Sequence, residues 1–149
     1  MDYLLQIIEN SILQTAVLSW FIAQLLKVII VLIIDKKIDF TRLTGSGGMP
    51  SSHSSFTVSL AAAVGFSQGF DSAMFGLAAA FSLVVMYDAS GVRRSAGQQA
   101  AILNRIVDKL GKEELSATGK KLKELLGHSP MEVLAGAILG AIIAIIRYV

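Results

Sequence analysis

The stretch from Ile12 to Ile34, ILQTAVLSWFIAQLLKVIIVLII, carries a single charge, Lys27. A run of that length and apolarity is what a bilayer-crossing helix requires, about 20 residues, and it constrains everything that follows. Three further apolar segments run from Ser55 to Gly69, from Ser72 to Tyr87 and from Met131 to Ile146. They are shorter than a usual span, so their helices are expected to extend into flanking polar residues, or the bundle to thin the bilayer locally. The composition agrees: the 149 residues are 54% hydrophobic and 16% charged, with a mean hydropathy of +0.65, too apolar for an ordinary soluble domain. A water-soluble bundle of buried helices accounts poorly for such charge-free runs. The expected fold class is all-α: one domain, 1–149, an integral membrane helical bundle with about four transmembrane helices and a cytoplasmic helical insertion over about 95–127.

The connections carry their own signals. SQGFDS joins the second and third segments as a tight turn with Gly69 and Asp71, giving a helical hairpin. Gly136 and Gly140 in the last segment form a small-xxx-small pattern, which lets helix backbones approach closely in lipid. Leu4, Leu5, Ile7 and Ile8 read as the apolar face of a short interfacial helix. In AGQQAAILNRIVDKL the apolar residues Ala96, Ala100, Leu103, Val107 and Leu110 recur with a helical period, and LSATGKKLKELLG follows as a second, weakly amphipathic stretch. That region has no aromatic residues and mixed charge, so a nucleic-acid partner is not expected. The chain has no cysteine, which excludes disulfides and thiolate metal sites. Asp2 and Glu9 near the start, with no Lys or Arg, argue against a cleavable signal peptide.

Charge in the connections sets an expected orientation. Lys36, Lys37 and Arg42 follow the first segment, and eight basic residues from Arg93 to Lys123 follow the third. The positive-inside rule puts both connections in the cytoplasm and both chain ends on the opposite face, with Arg147 as the dissenting charge. The stretches GGMPSSHS, GVRR and LGHSP then emerge on one side of the membrane.

What converges there can do chemistry. Lys27 lies about two turns before the end of the first segment, within snorkelling reach of the interface. His53 opens the second helix, Arg93 and Arg94 follow the third, and His128 precedes the fourth, with Glu132 four residues later. Two histidines, two arginines and a lysine at helix ends suit an anion, and helix N-termini add N–H donors. Each residue also has a plain structural reading. Ser51 or Ser52 caps the second helix after Pro50, and Ser129-Pro130-Met131-Glu132 is a capping box in which Glu132 serves the helix alone. Arg93 and Arg94 satisfy the positive-inside rule by themselves. Lys27 is harder to assign to structure, because an ionisable residue inside a span points to function by default.

These residues resemble the divergent branch of the type 2 phosphatidic acid phosphatase family, whose wider superfamily includes the vanadium haloperoxidases. Pro50-Ser51-Ser52-His53 resembles the family's Pro-Ser-Gly-His block, with Ser52 in place of Gly. Gly91-Val92-Arg93-Arg94 resembles the arginine block, and His128-Ser129-Pro130-Met131-Glu132 the His-x-x-x-Asp block, with Glu for Asp. YDASGVRRSAGQQAAILN together with LGHSPMEV marks the divergent branch. Three features depart from the ordinary pattern. Thirty-four positions separate Arg94 from His128 (128 − 94) where a handful is usual. The lysine block is degraded, with Lys27 or Lys36 for its lysine and Arg42 for its arginine. Four spans stand for six, a reduction that a homodimer would complete.

The resemblance implies a metal-independent hydrolysis of a lipid phosphate monoester or diphosphate through a phosphohistidine. His128 is then the nucleophile, Glu132 its orienting partner and His53 the general acid. Lys27, Arg93, Arg94, Ser51 and Ser52 hold the phosphoryl oxygens. No cofactor is expected, and two histidines with few free carboxylates make a poor binuclear metal site. Expected partners are a phospholipid or polyprenyl phosphate and membrane lipids, with the site facing the cytoplasm from the plasma (inner) membrane. A non-catalytic lipid-phosphate binder and a transport or assembly subunit are the rival classes. A haloperoxidase is disfavoured, because those are larger soluble enzymes.

Overall fold

The computed structural model describes residues 2–36, 48–110 and 127–149. Arg42 and residues 111–126, which hold all of the second amphipathic stretch but its last glycine, lie outside the described residues. Six helices are described in chain order: α1 (Asp2–Glu9), α2 (Ser11–Asp35), α3 (Ser52–Gln68), α4 (Ala73–Ser90), α5 (Val92–Leu110) and α6 (Pro130–Tyr148). Side-chain caps start four of them. Asn10 accepts from the Leu13 amide, Ser51 from Ser54, Ser72 from Phe75 and Ser129 from Glu132, each satisfying an amide that the first helical turn leaves without a partner. The turn between α3 and α4 closes at Gly69, whose φ of +94° lies in the left-handed region.

The second and third apolar segments do extend into their flanks: α3 begins at Ser52 and α4 reaches Ser90. Three helical stretches are long and apolar enough to cross a membrane, Ser11–Ile34, Ala73–Ile106 and Pro130–Tyr148. The middle one runs on from α4 into α5, with Gly91 at the junction. The fourth apolar helix, α3, is shorter and occupies the centre, packed against α2, α4 and α6.

The bundle is turned inside out relative to a soluble protein. Its buried residues are small or hydroxylic, such as Ala16, Ala23, Ala63, Thr15, Ser19, Ser54, Ser55 and Ser59. Its large apolar side chains, among them Ile33, Leu77, Val84 and Ile146, are exposed. A water-soluble bundle would reverse that distribution; lipid as solvent explains it, because helices there associate by close packing rather than by hiding leucines. The interior hydroxyls are paired: Ser19 Oγ lies 2.6 Å from Ser55 Oγ, and Ser82 donates to Thr57 Oγ1 at 3.2 Å. Gly136 and Gly140 allow the tightest approach. A Cβ at Gly136 would collide with the Ser51 carbonyl, and one at Gly140 would come within 3.0 Å of the Ser59 amide. The leucines and isoleucines of α1 stay exposed, as an interfacial helix requires.

The helix ends sort into two faces. At one, Arg147 donates to the Gln14 amide oxygen and the Tyr148 hydroxyl bonds Ser11, so the start of α2 and the end of α6 lie together. At the other, the end of α2, the starts of α3 and α6 and the end of α4 converge, and every described candidate residue lies there.

Candidate functional site

The start of α6 carries the centre of the site. Ser129 Oγ accepts from the Glu132 amide at 3.3 Å, and Glu132 Oε2 accepts from the Ser129 amide at 3.1 Å, a complete capping box. The same Oε2 lies 3.0 Å from His128 Nδ1. The structural and chemical readings of Glu132 are therefore not alternatives, because one oxygen performs both tasks. His128 itself is 4% exposed, and its amide donates to the Ala89 carbonyl at 3.0 Å, fixing it to the last turn of α4. Its Nε2 is buried and has no hydrogen-bond partner among the described residues.

Burial holds the His128 imidazole below the usual histidine value. The Glu132 hydrogen bond pulls the other way, and the positive charges of Lys27 and Arg93 add to the lowering. A neutral ring with Nδ1–H donated to Glu132 leaves the Nε2 lone pair available.

The start of α3 is bonded to the same place, since the Ser51 amide donates to the Glu132 carbonyl at 2.9 Å. A cis Met49–Pro50 peptide and Gly48 at φ +84° precede it. Ser51 Oγ is occupied by the Ser54 amide and hydroxyl. Ser52 Oγ accepts from Lys27 Nζ at 3.2 Å, and Lys27 is 2% exposed. Lys27 thus does not snorkel: its ammonium lies inside the bundle, with the Ser52 hydroxyl as one partner. Lys36, the other match to the family's lysine, is exposed at the end of α2 in a left-handed conformation. His53 is exposed, with its ring centroid 6.3 Å from that of His128 and the planes at 64°.

The two arginines part company. Arg93 lies in the electrostatic surroundings of both histidines, and its Nε donates to Asp88 Oδ2 at 2.5 Å. Arg94 is exposed, as Arg93 is. It is packed at its backbone, where a Cβ on Gly127 would meet the Arg94 Cα at 2.6 Å. The structure therefore brings His128, Glu132, His53, Lys27, Ser51, Ser52 and Arg93 together, with Arg94 beside the connection that delivers His128. Sequence reasoning missed Asp88 and the Ala89 carbonyl. The signal for Asp88 was present as an acid five residues before an arginine, across a glycine.

Comparison with known proteins adds the frame. The pattern of the divergent PAP2 family matches residues 8–143. The chain is also 36% identical to a protein of Bacillus subtilis (strain 168) named uncharacterized membrane protein YuiD, over 95% of this chain and 96% of that one. No solved structure matches.

Proposed function

The chain belongs to the divergent PAP2 family, a phosphatase-related membrane protein, and from that premise we propose that it hydrolyses a lipid phosphate without a metal, through a phosphohistidine on His128. The observation that carries this reading is the state of that ring: Nδ1 is bonded to a carboxylate, while Nε2 is buried and unpartnered among the described residues.

The Nε2 lone pair attacks phosphorus as the bond from phosphorus to the leaving oxygen breaks. Protonated His53 gives its proton to that oxygen, so the alcohol or lipid phosphate departs neutralised. Glu132 stabilises the positive ring that forms and keeps its orientation. Water then attacks the phosphohistidine while His53 takes one of its protons. The N–P bond breaks with its electron pair returning to Nε2, and phosphate is released. Lys27, Arg93 and Arg94 supply positive charge for the phosphoryl oxygens, Arg93 being the arginine whose charge reaches both rings. Ser52 holds the Lys27 ammonium, and the amides at the start of α3 favour negative charge.

A polar site at one end of a bundle whose outer surface is apolar suits a phosphate carried on a hydrocarbon anchor, a phospholipid or polyprenyl phosphate. The positive-inside charges favour the cytoplasmic face of the plasma (inner) membrane. The test is phosphate release from a panel of lipid phosphates by wild type and His128→Ala side by side. Loss of release in the variant, with a base-stable, acid-labile phosphoryl label on the wild type, is expected. Full activity in His128→Ala would rule out the assignment. Insensitivity to chelators is expected as well, and strong inhibition would end the metal-free reading.

A further inference from the structure

The last turn of α4 makes two connections to the site. The Ala89 carbonyl receives the His128 amide, and the neighbouring Asp88 carboxylate receives Arg93 Nε. Between them and Arg93 lies Gly91, the cap of α4 at φ −108° and ψ −84°, whose amide donates to the Tyr87 carbonyl and whose carbonyl starts α5 by accepting from the Ser95 amide. Arg93 therefore lies in the first turn of α5, five positions after Asp88, and the direction of its long side chain depends on what grips it.

The grip contributes little to stability. With side chains 56% and 36% exposed, an ion pair is screened by water, and such pairs add little to folding. Its geometry is more informative. Asp88 takes the Nε edge of the guanidinium, and no described hydrogen bond uses the two terminal nitrogens. A guanidinium anchored at Nε presents its terminal NH₂ groups as a fixed fork, the arrangement that recognises phosphoryl oxygens in two-point fashion. Asp88 and Arg93 also both act electrostatically on His53, the proposed general acid.

We propose that Asp88 is a positioning residue: it holds Arg93 by Nε so that the terminal nitrogens are preorganised for a phosphoryl group at His53 and His128. Without it, Arg93 must lose the freedom of a long side chain each time it binds. Asp88 touches no substrate and acts through Arg93. The inference rests on the anion-binding reading of the site.

The test is a double-mutant cycle on the full-length purified chain in detergent, read by orthovanadate binding and by kinetics on phosphatidic acid in mixed micelles. Asp88→Asn should weaken orthovanadate binding about tenfold, within the usual range for coupled contacts, and raise KM far more than it lowers kcat. Asp88→Glu should recover part of the loss. In an Arg93→Ala background, Asp88→Asn should change nothing further. Unchanged or tighter binding in Asp88→Asn would overturn the proposal, as would an equal effect in the Arg93→Ala background. Asp88→Glu and the thermal midpoint guard against a variant that merely misfolds. A wild type that binds orthovanadate but hydrolyses no lipid phosphate ends the hydrolase reading and leaves the same cycle to judge Asp88. A wild type that binds no orthovanadate overturns both.

Discussion

Lys27 Nζ donates to Ser52 Oγ at 3.2 Å inside the bundle. An ammonium taken from water is costly unless its donors are satisfied, so this serine is part of how a charge persists within a membrane-spanning helix. Ser52→Gly, which restores the common form of the motif, should lower kcat/KM about tenfold. Lys27→Met should lower it by a further order of magnitude or more. Steady-state kinetics on one lipid phosphate, with thermal unfolding in the same detergent, separates the two effects. A Ser52→Gly protein as active as wild type would show that Lys27 needs no hydroxyl partner.

Glu132 Oε2 serves both the cap and the histidine, and two substitutions divide those tasks. Glu132→Gln keeps an acceptor for the Ser129 amide, so the thermal midpoint should shift by less than about 1 kcal/mol equivalent. It removes the negative charge opposite His128, so kcat should fall about a hundredfold or more. Glu132→Ala should lose both. Equal activity loss and equal destabilisation in the two variants would mean that Glu132 is only a cap.

The buried His128 ring sets a pH dependence. Its value is lowered chiefly by burial, so the neutral nucleophile persists below the ordinary histidine value of about 6.5. The acid limb of kcat/KM should therefore fall at a pH below that value, and the alkaline limb should follow loss of the His53 proton. Stability follows the same sign. Between the lowered folded value and the unfolded one, the unfolded chain binds more protons. His128's contribution is thus complete above the unfolded value and lost as pH falls through the folded one. Glu132→Gln, which removes a contribution that raises His128, should move the acid limb lower still.

Glycines in the spans should not be equivalent. A side chain at Gly136 or Gly140 meets the α3 backbone, whereas a Cβ at Gly76 has nothing within 4 Å. Gly136→Val should separate α3 from α6, costing about 1–3 kcal/mol or more and abolishing activity with it. Gly76→Ala should raise stability by about 0.5–1 kcal/mol and leave turnover unchanged. Expression level and thermal midpoint in detergent check both.

Much of this was legible in the chain. Apolar runs located α2, α4 and α6, the serines and prolines located the starts of α3 and α6, and Gly136 with Gly140 located a close contact between helices. Local rules suffice there, because spacing and capping are properties of a few adjacent residues. Other features were not legible for an equally physical reason. That Lys27 is buried on Ser52 rather than snorkelling depends on where α3 sits, 25 positions away in sequence. That α3 would be the central helix depends on its serines being packed by three neighbours, not on its own hydropathy. That Arg94 packs at its backbone against Gly127 depends on a residue 33 positions away in sequence (127 − 94).

The bond from the His128 amide to the Ala89 carbonyl has a consequence for the long separation between the arginine and histidine motifs of this chain. The chain leaves the bundle just after Ala89 and returns to that same residue, so everything between is a closed loop tied off at its neck. Lengthening such a loop costs only logarithmically in entropy, about 0.6 kcal/mol per doubling, and leaves the bond between the His128 amide and the Ala89 carbonyl in place. Sequence separation between those two motifs is therefore loosely constrained, while the neck stays fixed.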